Sequence, residues 1–224
     1  MAAALKLIVF DVDGTLVDSQ HVIVSTAQAA FERFGLPRPT DDAVRRIVGL
    51  SLVEGMARLA PTLDAAQVED LAHAYRETFQ AARAKPDLPE TLFPGVVAML
   101  EAVAAAGFDL GIATGKSRRG LLSVLERHGL ARFFSTLQTA DVPPGKPHPA
   151  MLLRALDECG VAPAEAAMIG DTTFDIAMAC AAGALPIGVA WGYHPVEELT
   201  AAGAAHMVES CDAIAPLLVG LARR

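Results

Sequence analysis

Residues 7–16 of the chain read Leu-Ile-Val-Phe-Asp-Val-Asp-Gly-Thr-Leu. The four apolar residues that open this stretch predict a buried strand, because a strand covered on both faces needs no alternation of polar and apolar positions. Asp11 and Asp13 follow at its end, and Gly14 is a turn residue. Two carboxylates in such a place are unfavourable unless they titrate, form ion pairs or hold a cation. A plain turn remains the alternative for an Asp-x-Asp-Gly sequence taken alone.

The composition predicts one large domain or a core domain that carries an insert. Of the 224 residues, 53% are hydrophobic, and the formal net charge is −8. No run is rich in lysine or arginine, so we expect no nucleic-acid partner. Charged residues come too early for a secretory signal, and Gly and Pro interrupt the uncharged stretch 176–196. We therefore expect no signal peptide and no membrane span.

The three cysteines, Cys159, Cys180 and Cys211, are odd in number and widely spaced. Their spacing fits neither a set of disulfides nor a zinc site. It predicts three buried thiols that behave as small apolar side chains. Unpaired cysteines are typical of a reducing compartment, so we expect a cytoplasmic protein.

Strand-like and helix-like segments alternate from about residue 93 onwards. Predicted helices cover residues 98–106, 118–128 and 149–159. Predicted strands cover residues 108–113, 134–139, 167–169, 185–190 and 205–208. Repeated βαβ units favour an α/β fold with a Rossmann-like, doubly wound parallel sheet and helices on both of its faces.

Residues 19–85 follow a different pattern, because their apolar positions recur only at helical spacing. No strand is expected there. Several prolines and a glycine near residue 90 then mark a linker back to the sheet. The sequence thus predicts a discontinuous core, residues 1–18 and 93–224, interrupted by an all-helical insert of residues 19–92.

Polar residues of complementary types follow four of the predicted strands. They are Asp11 with Asp13, Thr114 with Gly115, Lys146 in a proline-rich loop, and Asp171 with Asp175. The carboxyl ends of parallel strands meet at one edge of a sheet, where open α/β sheets bind ligands. We therefore expect these residues to meet around one phosphate group.

The carboxylates match the needs of phosphoryl transfer. Mg²⁺ prefers oxygen ligands, and Asp11, Asp171 and the backbone carbonyl of Asp13 can supply them. Asp11 is the expected nucleophile, which attacks phosphorus and forms an aspartyl-phosphate. Asp13 is the expected acid and base, which protonates the leaving oxygen and later activates water.

The remaining members of the set are expected to hold the phosphate. Lys146 adds a positive charge, and Thr114 and the Gly115 amide are expected to donate hydrogen bonds at a helix N-terminus. Each residue also has an ordinary explanation. Lys146 can be a solvated loop lysine, Thr114 a helix N-cap, and Asp171 and Asp175 acids in the first turn of a helix.

Residues 115–117, Gly-Lys-Ser, resemble the end of a nucleotide-binding P-loop. The first glycine of that motif would have to stand where the chain has Leu110. The P-loop motif therefore fails, and no phosphate-binding role is assigned to Lys116 on that basis.

These motifs, in this order, resemble those of the haloacid dehalogenase-like hydrolase superfamily. The matching stretches are Asp11-x-Asp13-Gly14-Thr15, Thr114-Gly115, Lys146-Pro147 and Gly170-Asp171-x-x-x-Asp175. Within the superfamily the chain is most similar to phosphoglycolate phosphatase-like members, through Gly170-Asp171-Thr172, Trp191-Gly192-Tyr193 and Ala202-Gly203-Ala204. The resemblance covers essentially the whole chain. It implies that residues 19–92 form a cap domain of the first type, placed between the first two motifs.

The resemblance implies a magnesium-dependent phosphatase that acts on a small phosphorylated metabolite, phosphoglycolate or a related phosphomonoester. Dehalogenases of the superfamily carry no acidic residue at the position of Asp13, so a phosphotransferase-type member is implied. The implied roles are Asp11 as nucleophile, Asp13 as acid and base, Thr114 and Lys146 as phosphate ligands, Asp171 as metal ligand, and Asp175 behind it or bound to the metal through water.

The substrate-facing loop of the cap is expected at residues 45–52, with Arg46, Gly49 and Ser51 as candidates for substrate specificity. A solvated helix face explains the two arginines of this loop equally well. Two other functions remain open: a phosphomutase of the β-phosphoglucomutase type, and a receiver-like phosphate sensor. Receiver domains are much shorter and lack both a cap and a counterpart of Asp13. The sequence is compatible with a monomer or a homodimer.

Overall fold

The computed structural model describes residues 4–83 and 90–222, and strands run through both parts. The strands are β1 (Leu7–Phe10), β2 (Val17–Asp18), β3 (Thr91–Leu92), β4 (Asp109–Thr114), β5 (Thr136–Thr139), β6 (Ala166–Gly170), β7 (Leu185–Val189) and β8 (His206–Val208). All but β2 and β3 belong to one sheet, in the order β5-β4-β1-β6-β7-β8. Neighbours in this sheet run parallel.

The strand order reverses at β1. From this central strand the chain continues to β4 and β5 on one side, and later to β6, β7 and β8 on the other. The connections that leave the carboxyl ends of β1 and its neighbours therefore diverge, and they leave a crevice at that point of the edge. Asp11 is the first residue after β1 and stands at this crevice.

Helices cover both faces of the sheet. They are α5 (Val96–Ala105), α6 (Arg118–Arg127), α7 (Ala150–Cys159), α8 (Thr173–Ala182), α9 (Val196–Ala201) and α10 (Ile214–Ala222). Because side chains alternate along a strand, Ile8 and Phe10 pack in one core with residues of α5, α6 and α10, whereas Leu7 and Val9 pack in another with residues of α7 and α8. The predicted α/β fold with a doubly wound parallel sheet is confirmed.

Residues 19–83 contain helices and no strand. The helices are α1 (Gln20–Arg33), α2 (Asp41–Arg45), α3 (Leu52–Leu59) and α4 (Ala65–Arg83). They bury apolar clusters of their own, in which α1 and α4 pack side by side. The helical spacing that the sequence shows in this region is therefore the spacing of real helices.

A two-stranded ribbon joins the helical part to the sheet. β2 pairs antiparallel with β3, with Val17 opposite Leu92 and Asp18 opposite Thr91. The chain thus leaves the region of the large sheet and returns to it at adjacent points. The predicted boundaries at residues 18 and 92 coincide with the ends of this ribbon, but the division into two domains stays a prediction. The prolines of the predicted linker at 86 and 89 lie outside the described residues.

The uncharged stretch 176–196 forms the end of α8, the strand β7 and a loop, as predicted. None of the helices in residues 4–83 and 90–222 combines the length and the apolar character needed to cross a membrane. The prediction for the cysteines is wrong in part. Cys211 is buried, but Cys159 is half-buried and Cys180 is exposed on the outer face of α8. All three are free thiols.

Candidate active site

Three buried carboxylates meet at the carboxyl ends of β1 and β6. Asp11, Asp171 and Asp175 each offer an oxygen, and these oxygens all lie within 4.8 Å of one another. The pairing of β1 with β6 explains the meeting, since Asp11 directly follows one strand and Asp171 the other. Asp175 reaches the same place from the first turn of α8. We call Asp11, Asp171 and Asp175 the acidic cluster.

Lys146 faces the acidic cluster. Its side chain is completely buried, and its Nζ lies 2.9 Å from Asp11 Oδ1 and 2.6 Å from Asp175 Oδ1. Burial lowers the pKa of Lys146, but the attraction of the two carboxylates outweighs it and raises the pKa overall, so the amine stays charged. The alternative of a solvated loop lysine is wrong, because no part of Lys146 reaches solvent.

One lysine does not balance three carboxylates. Burial is the largest cause that raises the pKa of Asp11 to about 7, with smaller contributions from Asp175 and Asp13, and Lys146 only partly opposes it. Burial also raises the pKa of Asp171 well above its ordinary value, again reinforced by Asp175 and Asp11. Ionisation of both groups is therefore unfavourable without a further positive charge nearby.

The acidic cluster fits a hard divalent cation. Asp11 Oδ2 is buried, and no residue of the described chain donates a hydrogen bond to it. An oxygen in that situation needs a cation or a proton to compensate its desolvation. Carboxylate oxygens converging from separate elements are the donors that Mg²⁺ and Ca²⁺ bind. The cluster could therefore hold such an ion.

Hydrogen bonds fix the other two carboxylates of the acidic cluster. Asp171 Oδ1 accepts from Thr15 Oγ1 at 2.9 Å, and its Oδ2 accepts from the Tyr193 amide at 2.9 Å. Asp175 Oδ2 accepts from the amide and the hydroxyl of Thr172, at 3.0 and 2.7 Å, in a capping box that begins α8. The ordinary explanation, an acidic residue in the first turn of a helix, is therefore correct for Asp175. Its second oxygen nevertheless faces Lys146.

Gly14 permits the close approach of Asp171 to the first strand. Its φ of +82° is a left-handed conformation that only glycine adopts easily. A Cβ at this position would overlap the Asp171 carboxylate. The glycine that follows the two aspartates is therefore required by the acidic cluster as well as by the turn.

The Asp13 carboxylate has partners outside the acidic cluster. Its Oδ1 accepts a hydrogen bond from Ser19 Oγ, and Lys116 Nζ lies 2.8 Å from the same oxygen. The Tyr193 hydroxyl lies 3.3 Å from Ser19 Oγ. The Asp13 side chain is 11% exposed. The Asp13 carboxylate is not part of the acidic cluster, so the backbone carbonyl remains the expected contribution of Asp13 to a metal there.

A cavity of about 450 Å³ lies over the site. Asp11, Asp13, Thr114 and Gly115 line it from the sheet side, and parts of residues 47–53 and 75–83 line it from the helical part. It thus connects the two carboxylates that the sequence assigned to catalysis with the helices of residues 19–83.

The loop between α2 and α3 closes down on Gly115. An ideal Cβ at Gly115 would lie only 2.6 Å from the carbonyl oxygen of Leu50 and 2.7 Å from that of Gly49. Gly49 and Ser51 line the cavity, as expected of substrate-facing residues, and Ser51 also caps α3. Arg46 is not among the lining residues: its exposed side chain forms an ion pair with Glu198 of the sheet domain.

Thr114 is buried at the end of β4, where its Oγ1 accepts a hydrogen bond from the Lys116 amide at 3.3 Å. The alternative of a helix N-cap is wrong, because Ser117 caps α6 through the Gly120 amide. Gly115 accordingly lies in the loop ahead of α6 and not at its N-terminus. Gly115 lines the cavity from that loop.

Four residues of the site have contacts that sequence reasoning missed: Thr15, Ser19, Lys116 and Tyr193. In the sequence Lys116 resembles only part of an incomplete P-loop, and its position directly after Thr114 and Gly115 is the one signal for a place in the site. Tyr193 acts through its backbone amide, 22 residues from Asp171, and no spacing rule connects the two.

Comparisons with known proteins agree with this geometry. Residues 8–189 match the family described as haloacid dehalogenase-like hydrolase. The chain is 37% identical to a protein of Dickeya dadantii named probable phosphatase IndB, over 88% of this chain and 86% of that protein. It is 31% identical to a phosphoglycolate phosphatase of Vibrio parahaemolyticus, over 92% of each.

A solved structure has the same fold. The crystal structure of a Bacteroides fragilis protein described as haloacid dehalogenase-like superposes with a TM-score of 0.87 at 31% identity. The match covers 94% of this chain and 99% of that one. The likeness therefore extends over the sheet and most of residues 19–83.

Proposed function

This chain belongs to the haloacid dehalogenase-like hydrolase family, and from that membership we propose that it is a magnesium-dependent phosphatase acting on small phosphomonoesters. The observation that carries the proposal is the state of Asp11. One of its oxygens is held by Lys146, and the other is buried without a hydrogen bond from the described residues. A carboxylate in this state is prepared for a cation and for an electrophile.

The acidic cluster supplies the metal ligands. Asp11 and Asp171 would contribute carboxylate oxygens, and the backbone carbonyl of Asp13 would be a third ligand. Asp175 would bind through water or hold Lys146 in place. A bound Mg²⁺ neutralises the approach of a carboxylate to a phosphate dianion and lowers the pKa of Asp11.

Asp11 is the nucleophile of the reaction. Its oxygen attacks phosphorus, so an Asp11 O–P bond forms while the bond from phosphorus to the leaving oxygen breaks. Lys146, Thr114 and the Gly115 amide hold the phosphoryl oxygens as negative charge redistributes over them. Lys146 and Thr114 are buried, which strengthens their interaction with the phosphate.

Asp13 transfers the protons. Its carboxyl gives a proton to the leaving oxygen as the ester bond breaks, and the resulting carboxylate then takes a proton from the water that attacks the aspartyl-phosphate. That second attack breaks the Asp11 O–P bond and releases inorganic phosphate. The Asp13 carboxylate lies outside the acidic cluster, and Asp13 lines the cavity. This position supports the role of acid and base for Asp13 beside the nucleophile Asp11.

The substrate is a small phosphorylated metabolite, phosphoglycolate or a related monoester. The cavity of about 450 Å³ must contain both the phosphate and the organic group of the substrate, so it suits a small phosphomonoester. A relative that spans the same length is named a phosphoglycolate phosphatase. Gly49 and Ser51 are among the residues of the helical part that line the cavity, and we expect them to face the leaving group.

The proposal is tested with the Asp11→Asn variant. Phosphate released from a panel of small phosphomonoesters is measured with Mg²⁺, and we expect the variant to lose at least about 10³-fold in kcat while remaining folded. Asp157→Asn on the surface of α7 is the matched control and keeps wild-type turnover. Activity retained by Asp11→Asn would refute the nucleophile. An isomerised sugar phosphate, formed in place of inorganic phosphate, would identify a phosphomutase instead.

A further inference from the structure

Lys116 is the least explained charged residue of the cavity. It comes from the loop after β4, and its side chain is only 8% exposed. Its Nζ lies 2.8 Å from Asp13 Oδ1, which also accepts the hydrogen bond from Ser19 Oγ. Both donors therefore act on the same oxygen of Asp13. No hydrogen bond from the described residues reaches Asp13 Oδ2, so that oxygen can exchange protons with a substrate.

A second carboxylate lies behind Lys116. Glu90 has a completely buried side chain, and its Oε1 is 3.7 Å from Lys116 Nζ. Its other oxygen, Oε2, is held at 3.0 Å by Arg83, the last residue of α4. Glu90 therefore lies between one cation from the sheet domain and one from the helical part.

The aromatic ring of Phe79 lies next to both cations, Lys116 and Arg83. Lys116 Nζ lies 5.7 Å from the ring centroid and the Arg83 guanidinium 5.3 Å from it, both within the range of a cation–π interaction. Arg83 also donates a hydrogen bond to the carbonyl of Gly120 in α6, at 3.1 Å. The Lys116 ammonium is thus bounded by Asp13, Glu90 and an aromatic face, and its long side chain has little freedom left.

We propose that Lys116 is a positioning residue for Asp13, and that Glu90 with Arg83 holds Lys116 in the position this requires. Lys116 and Ser19 fix Asp13 Oδ1, which turns Oδ2 towards the leaving oxygen of the substrate. Glu90 keeps the ammonium beside Asp13, because without Glu90 the ammonium would be attracted away from Asp13 and towards the bound phosphate. Because Arg83 and Phe79 belong to α4, the helical part contributes to the placement of an acid in the sheet domain.

This inference rests on the proposed phosphatase activity, and its signature is a dependence on the leaving group. A poorly basic leaving oxygen departs without a proton, whereas a strongly basic one must be protonated by Asp13. A misplaced Asp13 therefore slows cleavage of esters of basic alcohols most. A general loss of structure would slow all esters alike.

The experiment compares ethyl phosphate with 2,2,2-trifluoroethyl phosphate, which differ little in size but strongly in the basicity of the leaving oxygen. Their kcat/KM ratio is measured for the wild type, Lys116→Met, Lys116→Arg and Glu90→Gln. We expect Lys116→Met to lose about tenfold more on ethyl phosphate than on the fluorinated ester. We expect Glu90→Gln to shift the ratio in the same direction as Lys116→Met. Lys116→Arg, which keeps the positive charge, should give a ratio between those of Lys116→Met and the wild type.

The double variant Lys116→Met with Glu90→Gln should shift the ratio no further than Lys116→Met alone, because Glu90 acts through the lysine. The exposed ion pair of Arg132 with Glu101 provides matched controls: Arg132→Met and Glu101→Gln keep the wild-type ratio.

An unchanged ratio in Lys116→Met would overturn the proposal, as would a Glu90→Gln ratio equal to that of the wild type. A Lys116→Met variant that fails to fold leaves the decision to Lys116→Arg and Glu90→Gln. A wild-type protein that releases phosphate from neither ester, nor from any other monoester, would instead refute the phosphatase activity itself.

Discussion

Asp11 is destabilising in its ionised form as long as no metal is bound. Its pKa is raised from 3.8 to about 7, mainly by burial, so the folded protein binds a proton there more tightly than the unfolded chain does. Between these two values the folded state carries more protons, and its stability therefore falls as the pH rises. Asp171, whose pKa is raised by the same cause, adds to the fall.

We accordingly predict that ionisation of Asp11 lowers the stability of the metal-free protein between about pH 4 and pH 7. The loss due to Asp11 is about 4 kcal/mol at most, since one pKa unit corresponds to roughly 1.4 kcal/mol. Urea unfolding in the presence of a chelator measures it. Asp11→Asn should reduce the fall, whereas the exposed Asp157→Asn should not. The same pH dependence of stability in the wild type and in Asp11→Asn would contradict the prediction.

The side chains of the site differ in how far the sequence predicts them. Asp11 and Asp171 directly follow β1 and β6, which are neighbours in the sheet, so their meeting follows from the strand pairing. Lys146 reaches them from the long loop after β5, which is separated from β1 by β4. The supporting contacts are harder to predict. The Tyr193 amide has no side-chain signature, and Lys116 could be given a partner only after β4 and the first turn were placed side by side. Burial of Lys146 is likewise a property of the assembled fold.

At the scale of elements, the loop ahead of α6 and the loop between α2 and α3 are in direct contact through Gly115. Gly115→Ala places a methyl group against the carbonyls of Gly49 and Leu50, so the two loops must separate. We predict a loss of about tenfold or more in kcat/KM together with roughly 1–3 kcal/mol of stability.

Gly220→Ala is the matched control for this substitution. Gly220 lies in α10, where no atom comes within 4 Å of an added Cβ. Alanine there should leave turnover unchanged and stabilise the helix by about 0.5–1 kcal/mol, measured by thermal or urea unfolding. Full activity in Gly115→Ala would mean that the cavity tolerates a separation of its two walls.

The capping box of α8 links helix stability to the acidic cluster. Thr172→Ala removes the hydroxyl that caps the helix and holds Asp175. We predict a loss of about 1 kcal/mol in the free energy of unfolding and a clear loss of kcat, because Asp175 no longer orients Lys146.

Thr40→Ala separates the two effects. Thr40 caps α2 through the Ala43 amide in an exposed part of the helical region. Its substitution should lower stability by a similar amount without changing kcat, and Thr172→Ser should restore both quantities at α8. Equal kcat losses in Thr40→Ala and Thr172→Ala would show that the effect is one of stability alone.

Long apolar or periodic elements were predictable, and short ones were not. The strand at residues 7–10 and the helix that begins at Arg118 follow from their own residues. α5 begins two residues before its predicted start, directly after the left-handed Gly95. β2 and β3 contain two residues each, too few to produce a pattern, and they exist because they pair with each other.

For the molecule as a whole, metal binding and folding are coupled. An ion that binds the acidic cluster of the folded chain, and not the unfolded chain, stabilises the fold by mass action, about 2.7 kcal/mol at a concentration 100 times its Kd. We predict that Mg²⁺ raises the melting temperature at neutral pH and that a chelator stops turnover. Asp171→Asn should abolish the rise, and Asp157→Asn should retain it. An identical melting temperature with and without Mg²⁺ would contradict a metal site in the cluster.

The sheet order is the part of the fold that no local pattern contains. The alternation of elements predicts parallel strands, yet the position of β1 between β4 and β6 depends on how helices pack on both faces. That order decides which loops are neighbours. It is also why Asp171, 160 residues after Asp11, reaches the same cluster.

The β2–β3 ribbon has a consequence for how such a protein can vary. Since Val17 and Leu92 are cross-strand partners, their Cα atoms are about 5 Å apart, as in any antiparallel pair. The segment between these two residues is therefore an insertion whose two ends are held close together, whatever its length. We expect that segments of other sizes and shapes can replace it without disturbing the strands of the large sheet. A different leaving group can then be accommodated while the catalytic residues at the ends of those strands stay in place.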